Sequence, residues 1–262
     1  MGLFRLLAGL HEAALRTAPE SQRWSIRAGI RNLVRHRERI ALPNGESLTI
    51  ICDHPQVLSR AHRWQSKEPK TIQWIDEMAR EDVLWDIGAN VGIYSLYAAK
   101  MNRMKVLSFE PMQENYQSLV DNVQENDLGD LIVPLPIALS DKNNIDTLFL
   151  FNTNPGASKH QLETSVDADG NPFEAKSVQS VLATRLDSFL DLIEAPHPTH
   201  IKIDVDGFEG KVIVGAKELI KNPKLRSILI EIHSGNYEIK DTLLGAGFEL
   251  AATEASNHIF TR

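Results

Sequence analysis

The stretch Val83-Leu84-Trp85-Asp86-Ile87-Gly88-Ala89-Asn90-Val91-Gly92 joins a short apolar run to a helix-forming segment. Gly88 permits a tight turn, and Gly92 lets the following helix start close to a sheet. Backbone N–H groups at that helix start, together with the helix dipole, face whatever binds there. The spacing is D-x-G-x-x-x-G, not the G-x-G-x-x-G that suits a pyrophosphate. An acidic residue opening the loop suits a cationic ligand better than a diphosphate. Further on, Lys105-Val106-Leu107-Ser108-Phe109 reads as a second strand, closed by Glu110. That is the position at which a carboxylate grips ribose hydroxyls. A structural glycine turn plus a surface glutamate is the plain alternative. The two features in register favour a nucleoside-containing cofactor.

The same alternation of buried strand and amphipathic helix runs outward from this loop, the pattern of a parallel sheet with helices on both faces. Helical spacing follows at Tyr94, Leu96 and Ala98, and again at Tyr116, Leu119 and Val123. A third strand is expected from Leu131 past Pro134 and Pro136 to Leu139. Thr199–Val205 and Ser227–Ile232 read as buried strands, Phe208–Ile220 and Tyr237–Leu244 as helices, and Phe248–Leu250 with His258–Phe260 as a closing antiparallel hairpin. Ahead of the sheet, Pro43-Asn44-Gly45 between two apolar runs predicts a hairpin, and helical periods follow in Val57–Trp64 and after Pro69. Residues 1–80 are therefore expected to form a small α+β cap, and 81–262 the main domain. Residues 152–180, rich in Asn, Gly, Ser, Asp and Pro, are expected as an irregular insertion free to approach the carboxyl edge of the sheet.

Composition narrows the function. A single cysteine, Cys52, excludes an intramolecular disulfide framework and a cysteine-rich zinc site, and suits a reducing compartment. The longest apolar runs are strand-length, too short to span a membrane. The amino terminus lacks the pattern of a secretory signal, so a cytoplasmic location is expected. Residues 1–39 hold eight Lys/Arg against three Glu, or +5, and the remainder holds 20 against 32, or −12, for a net −7. So acidic a body argues against a dedicated nucleic-acid binder.

Five motifs, in order and spacing, resemble the FkbM-type family of class I S-adenosylmethionine-dependent methyltransferases. They are the Asp86–Gly92 loop, Phe109-Glu110-Pro111, Ala138-Leu139-Ser140-Asp141, Leu186-Asp187-Ser188-Phe189, and Ile201-Lys202-Ile203-Asp204-Val205-Asp206-Gly207-Phe208-Glu209. Asp206 stands where the family commonly carries the longer Glu. The resemblance implies S-adenosyl-L-methionine as cofactor, with Asp86, Gly88, Asn90 and Gly92 around its methionine part. It further implies Glu110 on the ribose, and Ala138, Ser140 and Asp141 facing the adenine. The fold expected is a Rossmann-like, doubly wound, seven-stranded α/β sheet. The reaction implied is O-methylation, with hydroxyls of sugars, glycans or secondary metabolites as acceptors. N-methylation on the same fold and a non-catalytic cofactor-binding scaffold are the alternatives.

A second constellation joins Lys202, Asp204, Asp206 and Glu209 to Glu231 and His233. Lys202 and Asp204 lie two apart on one strand, as do Glu231 and His233 on the next, so each pair shares a face. Charged groups in apolar strands need partners. A structural ion-pair network, for example Lys202 with Glu231, is the bland explanation; a catalytic site at the strand ends is the sharper one, with His233 or Asp204 as the base. The spacing is not diagnostic of a metal site, and none is assigned. Finally, Arg23, Arg27, Arg31 and Arg35 recur every four residues on one helical face. A solvated stripe is the favoured explanation, and docking to an anionic membrane or glycan surface the second.

Overall fold

A computed structural model of the chain describes residues 12–13, 16–23, 25, 35–168, 170–233 and 237–262. Two compact units emerge, Met1–Arg37 and Glu38–Arg262. In the first, residues 16–17 and 20–23 are helical, and Arg23 donates from Nε to the Ala18 carbonyl at 3.2 Å. Arg27 and Arg31 lie outside the described residues. Among the described residues no helix is long and apolar enough to cross a membrane.

The second unit starts with a hairpin, β1 (Arg37–Ala41) and β2 (Ser47–Ile51). Helix α1 (Pro55–Lys67) follows, with proline in its first turn and the His54 ring accepting from the Gln56 N–H at 3.2 Å. Helix α2 (Pro69–Asp76) also begins on a proline. The alternating part then runs β3 (Val83–Ile87), α3 (Ile93–Asn102), β4 (Lys105–Phe109), α4 (Gln113–Glu125) and β5 (Ile132–Leu135). Next come β6 (Ala138–Leu139), β7 (Asn144–Leu150), β8 (Gln161–Leu162), β9 (Ser177–Thr184) and α5 (Leu186–Leu192). The chain closes with β10 (His200–Ile203), α6 (Glu209–Val214), β11 (Ser227–Glu231), α7 (Tyr237–Gly245), β12 (Glu249–Glu254) and β13 (Asn257–Thr261).

Seven of these strands form one sheet in the order β12-β13-β11-β10-β3-β4-β5. All neighbours from β11 to β5 pair in parallel, and β13 runs antiparallel between β11 and β12. This is the mostly parallel, doubly wound α/β sheet with a closing hairpin that the sequence pattern predicts. Alternation along each strand sends side chains to two cores. Leu84, Val106 and Leu229 pack with the hairpin and with Trp64 and Leu96. Trp85, Ile87, Phe109 and Ile201 pack on the other face with Phe189 and Val212. There Trp85, Phe109 and Phe189 form a mutually tilted aromatic cluster with centroids 5.2–5.5 Å apart. The hairpin shares the first core, and α4 secures it: Asn122 Oδ1 and Asn126 Oδ1 accept from the backbone N–H groups of Ile51 and Thr49, both at 2.8 Å.

The structure corrects three expectations. The third strand does not run through to Leu139; it ends at Leu135, and Ala138–Leu139 pairs instead with β9. Pro136 has no N–H to offer a ladder, so the chain changes sheets there. A second, four-stranded sheet, β6-β9-β7-β8, takes up the latter part of the supposed insertion. The Phe208–Ile220 helix is shorter, ending at Val214 before a single 3-10 turn at Leu219–Lys221.

At the amino edge of the main sheet lies a buried polar cluster. His200 Nδ1 is 2.6 Å from Ser227 Oγ, and Nε2 is 3.1 Å from Asp82 Oδ2. Trp74 donates from Nε1 to Ser227 Oγ at 2.8 Å, and Arg226 pairs with Asp82. Burial lowers the His200 pKa to about 4. A neutral ring satisfies both neighbours, accepting a hydrogen bond from the Ser227 hydroxyl at Nδ1 and donating from Nε2 to Asp82.

Candidate functional site

The carboxyl ends of β3, β4 and β10 meet where the strand order reverses, the place at which open α/β sheets bind ligands. A cleft opens there. Gly88 and Asn90 from the loop after β3 form one side, and Glu110 and Met112 after β4 another. Gly88 sits at φ +81°, and a Cβ on it would lie 1.9 Å from the backbone oxygen of Asp204. Only glycine allows that approach. Glu110 is buried and clamps two loops: Oε2 accepts from the Asn90 N–H at 2.8 Å and Oε1 from the Met112 N–H at 2.9 Å. Burial pushes its pKa up to about 7, against the lowering effect of these donors. Ile137, Ala138, Leu139 and Leu148 give the cavity an apolar wall.

Residues 156–160 approach the same edge, as expected from their place in the chain. Asn90 Nδ2 and Asn115 Nδ2 both donate to the Ala157 carbonyl, at 2.7 and 3.1 Å, and the Gly156 N–H donates to Asn115 Oδ1 at 2.8 Å. The loop thereby brings Ser158 and His160 to the cavity wall. The Nε2 atom of His160 is buried without a protein partner among the described residues, and burial lowers the ring's pKa to about 4.

Beyond β10 the chain turns sharply through Asp204-Val205-Asp206-Gly207, with Asp206 itself at φ +54°. Glu209 stands beneath this turn, fully buried, its Oε1 accepting from the Val205 and Gly207 N–H groups at 3.1 Å each. Burial raises its pKa to about 7. Asp206 Oδ2 accepts from the Lys159 N–H at 2.6 Å, and burial together with Asp204 raises its pKa to about 6. Lys202, only 2% exposed, lies 3.1 Å from Asp204 Oδ2 and 3.9 Å from Asp86 Oδ1. Burial alone would depress its pKa, but Asp204, Asp86 and Glu68 outweigh it and hold the ammonium charged. Burial would raise Asp204, and Lys202 in turn holds that carboxylate below its ordinary range.

A second cavity adjoins the first; the two share Gly88, Asn90, Ser158 and Asp204 in their walls. Its far side is built by α1, which contributes Arg60, Arg63, Trp64 and Lys67, by Glu68 just beyond it, and by Tyr94 at the start of α3. Lys202 Nζ lies 5.1 Å from the Tyr94 ring centroid. Two compartments thus meet at one carboxylate.

The model of the methyltransferase FkbM domain matches residues 86–257. The chain belongs to the FkbM methyltransferase family. A curated relative, the hexuronic acid methyltransferase AglP of Haloferax volcanii, is 24% identical over 161 residues, which are 62% of this chain and 60% of AglP. The chain thus spans less than two thirds of that relative's length. Among solved structures, the precorrin-6y C5,15-methyltransferase of Geobacter metallireducens aligns with a TM-score of 0.44 at 13% identity, covering 75% of this chain and 86% of its own. TrmK of M. capricolum, in complex with S-adenosyl-homocysteine, aligns at 0.42 and 11% identity, covering 73% and 66%.

The cofactor of this FkbM domain is S-adenosylmethionine, and the first cavity's donor set fits it. A buried carboxylate with lone pairs to spare suits ribose hydroxyls, an apolar wall beside an unpartnered His160 nitrogen suits a purine, and Asp204 and Asp206 suit a positive sulfonium. Of the residues singled out in the sequence, Gly88, Asn90, Glu110, Ala138, Asp204 and Asp206 line this cavity. Gly92 is the N-cap of α3, at φ +85°. Asp86 is wholly buried and lines neither cavity, its Oδ2 accepting from Ser95 Oγ at 2.6 Å. Ser140 Oγ donates to Asp141 Oδ1 at 3.1 Å, and neither residue lines a cavity. Glu231 and His233 lie 3.4 Å apart, with Ser256 donating to Glu231 at 2.6 Å, and they too line neither. Lys202 therefore pairs with Asp204 and Asp86 rather than with the Glu231 offered as its partner in the sequence. The inventory from sequence lacks His160, Asn115 and the whole α1 wall; the one signal for the last is the basic spacing of Arg60, Arg63 and Lys67.

Proposed function

We propose that the protein transfers a methyl group from S-adenosylmethionine to a hydroxyl oxygen of a sugar. The observation that carries this is the position of Asp204, in the walls of both cavities at their junction. The bound cofactor supplies an electrophilic methyl group on a sulfonium. Everything else falls to the chain's own groups, which align the reactants and exclude water. Asp204 accepts a hydrogen bond from the acceptor hydroxyl and takes its proton as the new C–O bond forms. Lys202 holds that carboxylate ionised and fixed in direction. Glu209, through the Val205 and Gly207 N–H groups, holds the turn on which Asp204 sits. Trp64 and Tyr94 give the acceptor side an aromatic wall with polar neighbours, a surface suited to a sugar ring. The AglP relative, named for a hexuronic acid, supports the sugar class. A single buried cysteine suits action in the cytoplasm.

The test is methyl transfer from labelled S-adenosylmethionine to a panel of sugars and amines. Label should appear on oxygen. Label on nitrogen assigns N-methylation. Cofactor binding without turnover on any member assigns a scaffold.

A further inference from the structure

The second cavity is cationic in a chain of net charge −7. Arg60, Arg63 and Lys67 succeed one another at three- and four-residue intervals along α1, which sets them on one helical face. All three line the cavity with Lys202, opposed there by the carboxylates of Glu68 and Asp204. Lys202 is matched by Asp204 and Asp86, and Lys67 by Glu68 at 2.9 Å. Among the described residues, neither Arg60 nor Arg63 has a carboxylate within the 4.0 Å of an ion pair.

Arg60 is also held in place. Its Nε donates to the Gly156 carbonyl at 2.7 Å, so the loop that walls the cofactor cavity anchors the head of this side chain. Arg63 Nε, one turn on, approaches the Ser59 carbonyl at 3.4 Å. Two guanidinium groups with no carboxylate at ion-pair distance, Arg60 within electrostatic reach of Asp204 and Asp206, thus stand beside Trp64 and Tyr94 in the cavity wall. The planar fork of arginine matches carboxylate and phosphate oxygens in pairs.

We propose that the acceptor is an anionic sugar, its carboxylate or phosphate held by Arg60 and Arg63 while Asp204 faces the hydroxyl to be methylated. This rests on reading the same site as that of a sugar O-methyltransferase. The rival use of these cations is the carboxylate of the cofactor's own methionine part. Arg60 and Arg63 line the second cavity and not the first, which holds the donor set that fits the cofactor, and the Arg63 variant below separates the two uses.

The experiment uses the full chain. Loaded with S-adenosyl-homocysteine, it is titrated with methyl glucuronide, glucose 6-phosphate and the neutral methyl glucoside, and the same three are assayed for methyl transfer. At least one anionic probe should bind about tenfold or more tightly than the glucoside, an advantage that shrinks with added salt. Arg63→Gln should weaken that probe about tenfold or more, leave S-adenosyl-homocysteine affinity unchanged, and be partly rescued by Arg63→Lys. The glucuronide ahead of the phosphate identifies a carboxylate acceptor, and the reverse order a phosphorylated one. Equal binding of the glucoside, or no binding of either anionic probe at millimolar concentration, overturns the proposal. So does an Arg63→Gln variant whose loss falls on S-adenosyl-homocysteine. Binding and turnover separate the two readings: Arg63-dependent binding without transfer to oxygen retains the anionic site and ends the O-methylation reading. Equal methylation of glucoside and glucuronide does the opposite.

Discussion

Lys202 and Asp86 occupy paired register positions on adjacent parallel strands, and their charged ends lie 3.9 Å apart inside the sheet's first core. Ser108 is the next member of the row, paired in register with Asp86. Ser95 from α3 ties the row together, donating to Asp86 and accepting from Ser108 at 2.7 Å. A polar seam therefore crosses an otherwise apolar face and ends at Asp204. Removing one charge from such a seam leaves the other buried and unpaired.

Lys202→Met should accordingly destabilise the fold by about 3–5 kcal/mol, because Asp86 keeps its burial and loses its counter-charge. Asp86→Asn, which retains the hydrogen bond to Ser95 and removes a charge, should cost less. Urea denaturation of the two variants checks the order, and equal losses would mean that shape rather than charge holds the seam.

Glu110 predicts a pH dependence of cofactor binding. In the proposed site, ribose hydroxyls would donate to the ionised carboxylate, whose pKa in the free protein is pushed up to about 7. Below that pH a proton must leave before the cofactor binds, so Kd should rise about tenfold per pH unit; above it Kd should be flat. The free protein's stability moves the other way. Between the ordinary 4.5 and about 7 the folded state keeps a proton that the unfolded chain releases, so this group's contribution falls as pH rises across the window. Glu110→Gln should flatten both profiles, which calorimetry and denaturation at several pH values would show.

Asp204→Asn should lower methyl transfer about 100-fold or more while cofactor affinity stays within a few-fold. Asp204 lines both cavities and His233 lines neither, so the larger loss is expected at Asp204 than in His233→Ala. Turnover and melting temperature are read on the same samples, because Lys202 also loses its nearer partner, 3.1 Å away. Full activity in Asp204→Asn would remove it as the base.

His200 predicts acid sensitivity at the opposite edge of the sheet. Its pKa is about 4 folded against an ordinary 6.5, so between these values the unfolded state binds the extra proton. Its contribution to stability is complete above pH 6.5 and declines as pH falls toward 4. His200→Gln should be less stable at neutral pH and lack that component of the decline. An unchanged pH slope would place the sensitivity elsewhere.

The parallel sheet was legible because strands buried on both faces read as apolar runs, and Lys105–Phe109 was placed to the residue. The glycine loop and Glu110 were legible because a turn and a strand end have local signatures. The second sheet was not. Ser177–Thr184 opens in Ser-Val-Gln-Ser, half exposed and polar enough to pass for loop, and its partner Asn144–Leu150 lies far back in the chain. The α1 wall was hidden for a related reason. Arg60 meets Gly156 across 96 residues, a contact that no local pattern encodes.

The near-contact between Gly88 and the Asp204 carbonyl leaves the strand ends no slack: the cofactor loop and the turn bearing the acid form a single fitting. The opposite wall of the acceptor cavity is another matter. It comes from α1, whose Val57, Ala61 and Trp64 pack into the first core, and from a loop held by hydrogen bonds of Arg60, Asn90 and Asn115, both outside the sheet. Under the proposed function, a change of acceptor is therefore a task for α1 and residues 156–160, and the strand ends beneath them can stay as they are.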